Sequence, residues 1–123
     1  MRFPIKFSPV SAAFMTGLGL GRRTAYVEVG SDHVDVRMGY AFRATIPRES
    51  IKSVVKQGRI PWTLGIGVHG WGGQWVVNGT LHDIVRVEIE PRAPARVLGV
   101  PVKLHDLWVS LEDPDGFQAA VGH

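Results

Sequence analysis

Between Thr24 and Gln57 the chain alternates apolar and polar residues with a period of two, and this pattern constrains the fold most. Ala25-Tyr26-Val27-Glu28-Val29 alternates, Gly30-Ser31-Asp32 interrupts, and His33-Val34-Asp35-Val36-Arg37-Met38 alternates again. Successive side chains of a strand point to opposite faces. Val27, Val29, Val34, Val36 and Met38 therefore belong to a core, with His33, Asp35 and Arg37 outside. Gly30-Ser31 predicts a type II′ hairpin, where glycine supplies a positive φ. Phe42, Ala44 and Ile46 share the next inward face, and Arg43 and Thr45 point out. Pro47-Arg48-Glu49-Ser50 reads as a corner, because proline has no ladder donor and holds Ile46 extended. Ile51-Lys52-Ser53-Val54-Val55 is a fourth short strand.

The second half is punctuated differently. Gly65, Gly67, Gly70, Gly72, Gly73 and Gly79 are interleaved with Trp62, Trp71 and Trp75. Trp75-Val76-Val77 runs into Asn78-Gly79, which predicts a type I′ hairpin; a longer turn from Asn78 to Asp83 is the alternative. Ile84 to Glu90 is a strand with Val85, Val87 and Ile89 inward. Pro91 to Pro101 holds three prolines and reads as an irregular connection. Leu107, Val109 and Leu111 form the last strand. Asp113 caps a terminal helix with Pro114 at its first position, and Phe117, Ala120 and Val121 make its apolar stripe.

A length of 123 residues fits one domain, assigned to residues 24–123 and preceded by an arm, residues 1–23. The apolar stretch Val10 to Leu20 in the arm is far shorter than the roughly 20 residues a spanning helix needs. Gly17, Gly19 and Gly21 make it a poor leader. It reads as an arm or first strand lying over the domain, with a surface-seeking membrane anchor as the minority reading. Cytoplasmic residence is expected, with attachment at the membrane periphery as the variant. The absence of cysteine excludes disulfide scaffolds and thiolate sites.

Charge is unevenly placed. Residues 1–60 carry ten Arg and Lys against four Asp and Glu, whereas residues 61–123 carry four against seven. Such asymmetry marks either two solvated faces or a surface that meets anions. Arg37, Arg43, Lys52, Lys56 and Arg59 come from neighbouring strands and are the candidate cationic face. Trp62, Trp71 and Trp75, beside bare glycine backbone, are a second candidate, for a pocket or partner-binding edge; the competing reading buries them in the core.

Catalytic signals are weak. The pairs His82-Asp83 and His105-Asp106 sit on adjacent residues that a strand would send to opposite faces, so no catalytic set is expected. The histidines lack ligand spacing, so neither a metal site nor a cofactor is expected. Gly17-Leu18-Gly19-Leu20-Gly21 lacks the strand and helix that make a phosphate loop. The aromatics Tyr26 and Tyr40 alone accompany the basic half, too few for a nucleic-acid surface.

Ala44-Thr45-Ile46-Pro47-Arg48-Glu49-Ser50-Ile51-Lys52-Ser53-Val54 and Trp108-Val109-Ser110-Leu111-Glu112-Asp113-Pro114-Asp115-Gly116-Phe117, separated by a glycine-rich pair of strands, resemble the bacterial pleckstrin-homology-like domains over residues 24–121. The resemblance implies a mainly β fold: a seven-stranded sandwich or partly open barrel capped by one C-terminal α-helix. Its motifs are structural rather than catalytic. Eukaryotic relatives of that family bind phosphoinositides through cations around the first hairpin, where this chain has His33, Asp35 and Arg37. The expectation is a non-enzymatic binding or assembly module, at an anionic membrane surface or in a homo-oligomer. The alternative is a small-ligand or lipid carrier built on the tryptophan-glycine segment.

Overall fold

The computed structural model describes residues 1–7, 24–39, 41–58, 67–71, 73–78 and 80–122. Their architecture is mainly β, with nine strands in one continuous sheet. These are β1 (Arg2–Pro4), β2 (Ala25–Val29), β3 (His33–Met38), β4 (Phe42–Pro47), β5 (Ile51–Gly58), β6 (Gly67–Trp71), β7 (Gln74–Asn78), β8 (Ile84–Val97) and β9 (Val100–Ser110), followed by the C-terminal helix α1 (Pro114–Val121). The order across the sheet is β1-β2-β3-β4-β8-β9-β7-β6, with β5 also on β8.

A bend explains the strand count. Proline at position 47 ends β4, a 3-10 turn over Arg48–Ser50 turns the corner, and β5 resumes along the same partner. β4 pairs β8 from Phe42↔Val97 to Ala44↔Ala95, and β5 pairs it from Ile51↔Ile89 to Gly58↔Ile84. β4 and β5 are thus two halves of one bent strand. Counted so, and with the arm's β1 set aside, the expected seven strands remain.

Curling brings the β1 edge against the end of β9 and the residues that follow it. Ile5 bridges Leu111, Lys6 N donates to Ser110 O at 2.9 Å, and Glu112 N donates to Pro4 O at 3.1 Å. The chain's opening residues therefore act as an edge strand, and Phe3 and Ile5 are buried. The alternation performs as read. Val27, Val34, Val36, Met38, Phe42, Ala44, Ile46, Val85, Val87, Ile89, Leu107, Val109 and Leu111 all lie in the core.

α1 plugs the curled sheet. Asp113 Oδ1 accepts from Gly116 N at 3.0 Å, satisfying one of the donors a helix start leaves free. Phe117 is 1% exposed and meets Phe3 edge-on, with centroids 5.7 Å apart. Arg48 Nη2 donates to Ala120 O and Val121 O, both at 3.1 Å, and Arg48 Nη1 donates to Gly30 O at 3.0 Å. A cation at a helix C-terminus opposes the dipole and fills its orphan carbonyls, so the corner residue also fastens the plug.

Three local expectations fail. The first hairpin is tied by Gly30 N donating to His33 O at 2.9 Å, which centres the turn on Ser31-Asp32, and Gly30 does not take a positive φ. The Asn78 hairpin does not form, because β7 pairs in parallel with β9. The longer connection joins β7 to β8 instead: Thr80 to Asp83 precede β8, and buried Asn78 donates from Nδ2 to Thr80 O at 2.9 Å. Pro91 to Pro101 is a β-hairpin rather than an irregular connection: β8 runs to Val97 and β9 starts at Val100. The Glu90–Pro91 peptide is cis, and a register shift between Glu88 and Ala93 carries the ladder past Pro91. Pro94 and Pro101 are exposed, and beyond the shift Ala93 and Ala95 resume the inward alternation.

Candidate functional site

The outer face of β3, β4 and β8 carries a row of arginines. Arg37 on β3 pairs directly with Arg43 on β4, and Arg43 pairs directly with Arg96 on β8. The backbone positions these side chains without ambiguity. Their neighbours Val36, Met38, Phe42, Ala44 and Ala95 are buried, so period two forces the arginines to the opposite face. Lys103 on β9 pairs with Pro94 and extends the row beyond Arg96.

Like charges directly opposite on a ladder destabilise it by a few tenths to about 1 kcal/mol per pair. No ion pair among the described residues offsets that cost. Among the described residues no carboxylate lies within ion-pair distance of Arg37, Arg43, Arg96 or Lys103, whereas Arg2 engages Glu28, Lys6 engages Asp83, Lys56 engages Asp115 and Arg86 engages Asp106. Asp35 shares the face and accepts from Thr45 Oγ1 at 2.8 Å.

Two concavities flank Arg43. One, of about 400 Å³, lies between Arg43, Thr45, Pro94, Arg96, Pro101 and Lys103. The other, of about 250 Å³, lies between Arg2, Tyr26, Glu28, Asp35, Arg37 and Arg43. Arg2 caps it, its guanidinium 3.9 Å from the Tyr26 ring centroid. Guanidinium groups present planar forks matched to phosphate or carboxylate oxygens and stay charged at any physiological pH.

A larger cleft of about 680 Å³ lies elsewhere, where β8 bends against β5 and β9. Lys52, Arg86 and Arg92 line it opposite Glu88, Glu90 and Asp106, with His105 beside them. Arg86 Nε and Nη2 each donate to Asp106 at 2.8 Å. That bond first, and the nearby charges of Asp106 and Glu88 next, hold the guanidinium's pKa above its ordinary value against the opposing effect of burial. The guanidinium also lies 5.5 Å from the Trp108 ring centroid. With three cations against three anions and its strongest pair already closed, this cleft is a structural clamp.

The candidate cationic residues therefore separate. Arg37 and Arg43 stand together, joined by Arg96 and Lys103. Lys52 lines the charge-balanced cleft, Lys56 is paired with Asp115 at the start of α1, and Arg59 lies outside the described residues. Trp75 packs partly buried against the main core. Trp71 occupies the β6 position opposite Gln74, and Trp62 lies outside the described residues. Pairing places Trp75 beside Leu107, several residues along β9 from Lys103. The signal for Arg96 and Lys103 was an outward alternation with Ala95 and Val102, hidden by the prolines around it.

Compared with protein-family models, curated proteins and solved structures, the chain matches none of them.

Proposed function

We propose that this protein is a non-enzymatic binding module whose working surface is the row Arg37, Arg43, Arg96 and Lys103, and that it holds phosphate-type anionic groups there. The observation that carries the reading is the direct opposition of three arginines with no carboxylate in ion-pair distance among the described residues. An anion seated between Arg43 and Arg96 turns two repulsive neighbours into two ligands. The mainly β curl with its terminal helix suits a scaffold that holds side chains in fixed register.

A pleckstrin-homology-like affinity remains part of this proposal. The site differs from that family's first-hairpin site, because it is centred on β4 and β8. No helix among the described residues is long and apolar enough to cross a membrane.

Calorimetric titration with inorganic pyrophosphate tests the reading. The wild type should bind, and Arg43→Gln/Arg96→Gln should weaken binding by about tenfold or more, each lost charge-assisted contact being worth about 1.5–3 kcal/mol before solvent screening. Equal affinities in the two proteins would remove the row from the site.

A further inference from the structure

The β8–β9 hairpin ends in a turn that local folding does not favour. Val97 pairs with Val100, and Leu98 and Gly99 form the turn between them with φ of 50° and 84°. Two positive φ values in a two-residue loop call for Asn-Gly or Gly-Gly, because a residue with a Cβ and a bulky side chain is strained there. Glycine meets the requirement at position 99, and leucine does not meet it at 98. Leu98 gains nothing from packing in exchange, being 67% exposed, and Val100 beside it is 60% exposed. A side chain that breaks a local rule without packing inside the fold points to a contact outside it.

The same tip is anchored and charged. Leu98 N donates to Ala41 O at 3.0 Å, which ties it to the β3–β4 turn. Arg96 stands two residues behind Leu98, roughly 7 Å along the strand, and its Nη1 donates to Gly99 O at 3.0 Å. An exposed apolar tip whose turn carries the Arg96 guanidinium, with Arg43 and Lys103 on the strands behind it, suits a bilayer surface, where apolar side chains enter the acyl boundary and cations meet lipid phosphates.

Resting on the phosphate-type reading of the arginine row, the geometry points to an anionic lipid bilayer as the partner, with Leu98 and Val100 inserting and Arg43, Arg96 and Lys103 seated at headgroup depth. The charge complementarity selects the bilayer over an apolar protein surface, because desolvating an uncompensated arginine row against an uncharged partner is unfavourable. Each engaged cation strengthens binding about fivefold, and burying the leucine side chain adds about ten- to hundredfold.

Cosedimentation with phosphatidylcholine vesicles, with and without phosphatidylglycerol, tests this in parallel with the pyrophosphate titration. Wild type should sediment with the phosphatidylglycerol vesicles and stay free of the others. Leu98→Asn/Val100→Thr should bind those vesicles at least about tenfold more weakly and bind pyrophosphate unchanged. Its denaturation midpoint should equal or exceed that of wild type, because asparagine suits the turn. Arg43→Gln/Arg96→Gln should lose both ligands. Vesicle binding that ignores the Leu98 and Val100 changes overturns tip insertion, as does pyrophosphate binding without vesicle binding, or displacement from vesicles by an oligonucleotide whose own binding ignores the tip. Failure of both ligands with wild type overturns the arginine-row reading itself.

Discussion

Arg43 and Arg96 face each other across the β4–β8 ladder, and Arg37 faces Arg43 from the other side. Two adjacent like-charge pairs on neighbouring strands work against the fold that presents them. Such an arrangement is characteristic of a surface whose stability is traded for binding.

That cost is measurable without any ligand. Arg43 belongs to both pairs, so Arg43→Gln should stabilise the protein by about 0.5–1 kcal/mol at low salt. The gain should fade toward 1 M salt, where the Debye length falls to ~3 Å. Urea denaturation in buffers without phosphate or sulfate reads it. A loss of stability at low salt would mean that Arg43 makes a favourable contact in the free protein.

The helix plug gives a second expectation. Phe117→Ala should lower stability by about 3–5 kcal/mol, since the side chain is fully buried. Phe3 meets it edge-on at 5.7 Å, so a double-mutant cycle between Phe3→Ala and Phe117→Ala should return a coupling of about 0.5–1.5 kcal/mol. Additive effects would show that the first strand and the helix support the core independently.

Arg48 should prove a positioning residue of the fold. Arg48→Ala removes donors from the Ala120, Val121 and Gly30 carbonyls and should cost about 1–2 kcal/mol. Arg48→Lys should recover only part of the loss, because a single ammonium cannot span the hairpin and the helix end as the fork does. Hydrogen exchange should localise the change to residues 114–122 before the rest of the domain. Uniform loss of protection would place the role elsewhere.

How much of this was legible in the chain depends on the range of the interaction. The core of β2, β3 and β4 follows from alternation alone, and the helix from Asp113-Pro114 and the stripe ending at Val121. Arg37 and Arg43 are readable as outward neighbours because one short turn joins their strands. Arg96 is not, since its place depends on pairing across more than fifty residues and on a register shift past Pro91. Lys56 illustrates the converse. It is exposed on β5, and only docking of α1 brings Asp115 to it. The prolines concealed a hairpin because their penalty applies to missing ladder donors, and Pro94 and Pro101 lie outward where the register accommodates them.

The charge-balanced cleft carries its own expectation. Asp106 keeps a side chain only 9% exposed against Arg86, so Arg86→Met alone strands a buried carboxylate and should cost about 3 kcal/mol. Adding Asp106→Leu should restore much of that loss, since a hydrophobic pair of similar volume is often no worse than the ions it replaces. A double variant less stable than the single one would show that Asp106 has a further role in the cleft. Pyrophosphate affinity should not change in either variant that folds.

Amide chemical-shift mapping of the wild-type protein during a pyrophosphate titration addresses the arginine row most directly. Shifts should grow together at Arg37, Arg43, Arg96 and Lys103, the residues that share the outer face of β3, β4, β8 and β9, and at the backbone amides of Ala44 and Ala95 between them, while Arg86, Glu88 and Asp106 in the bend cleft stay fixed. Shifts confined to the cleft, or none at all with the protein folded, would contradict an anion site built on the opposed arginines.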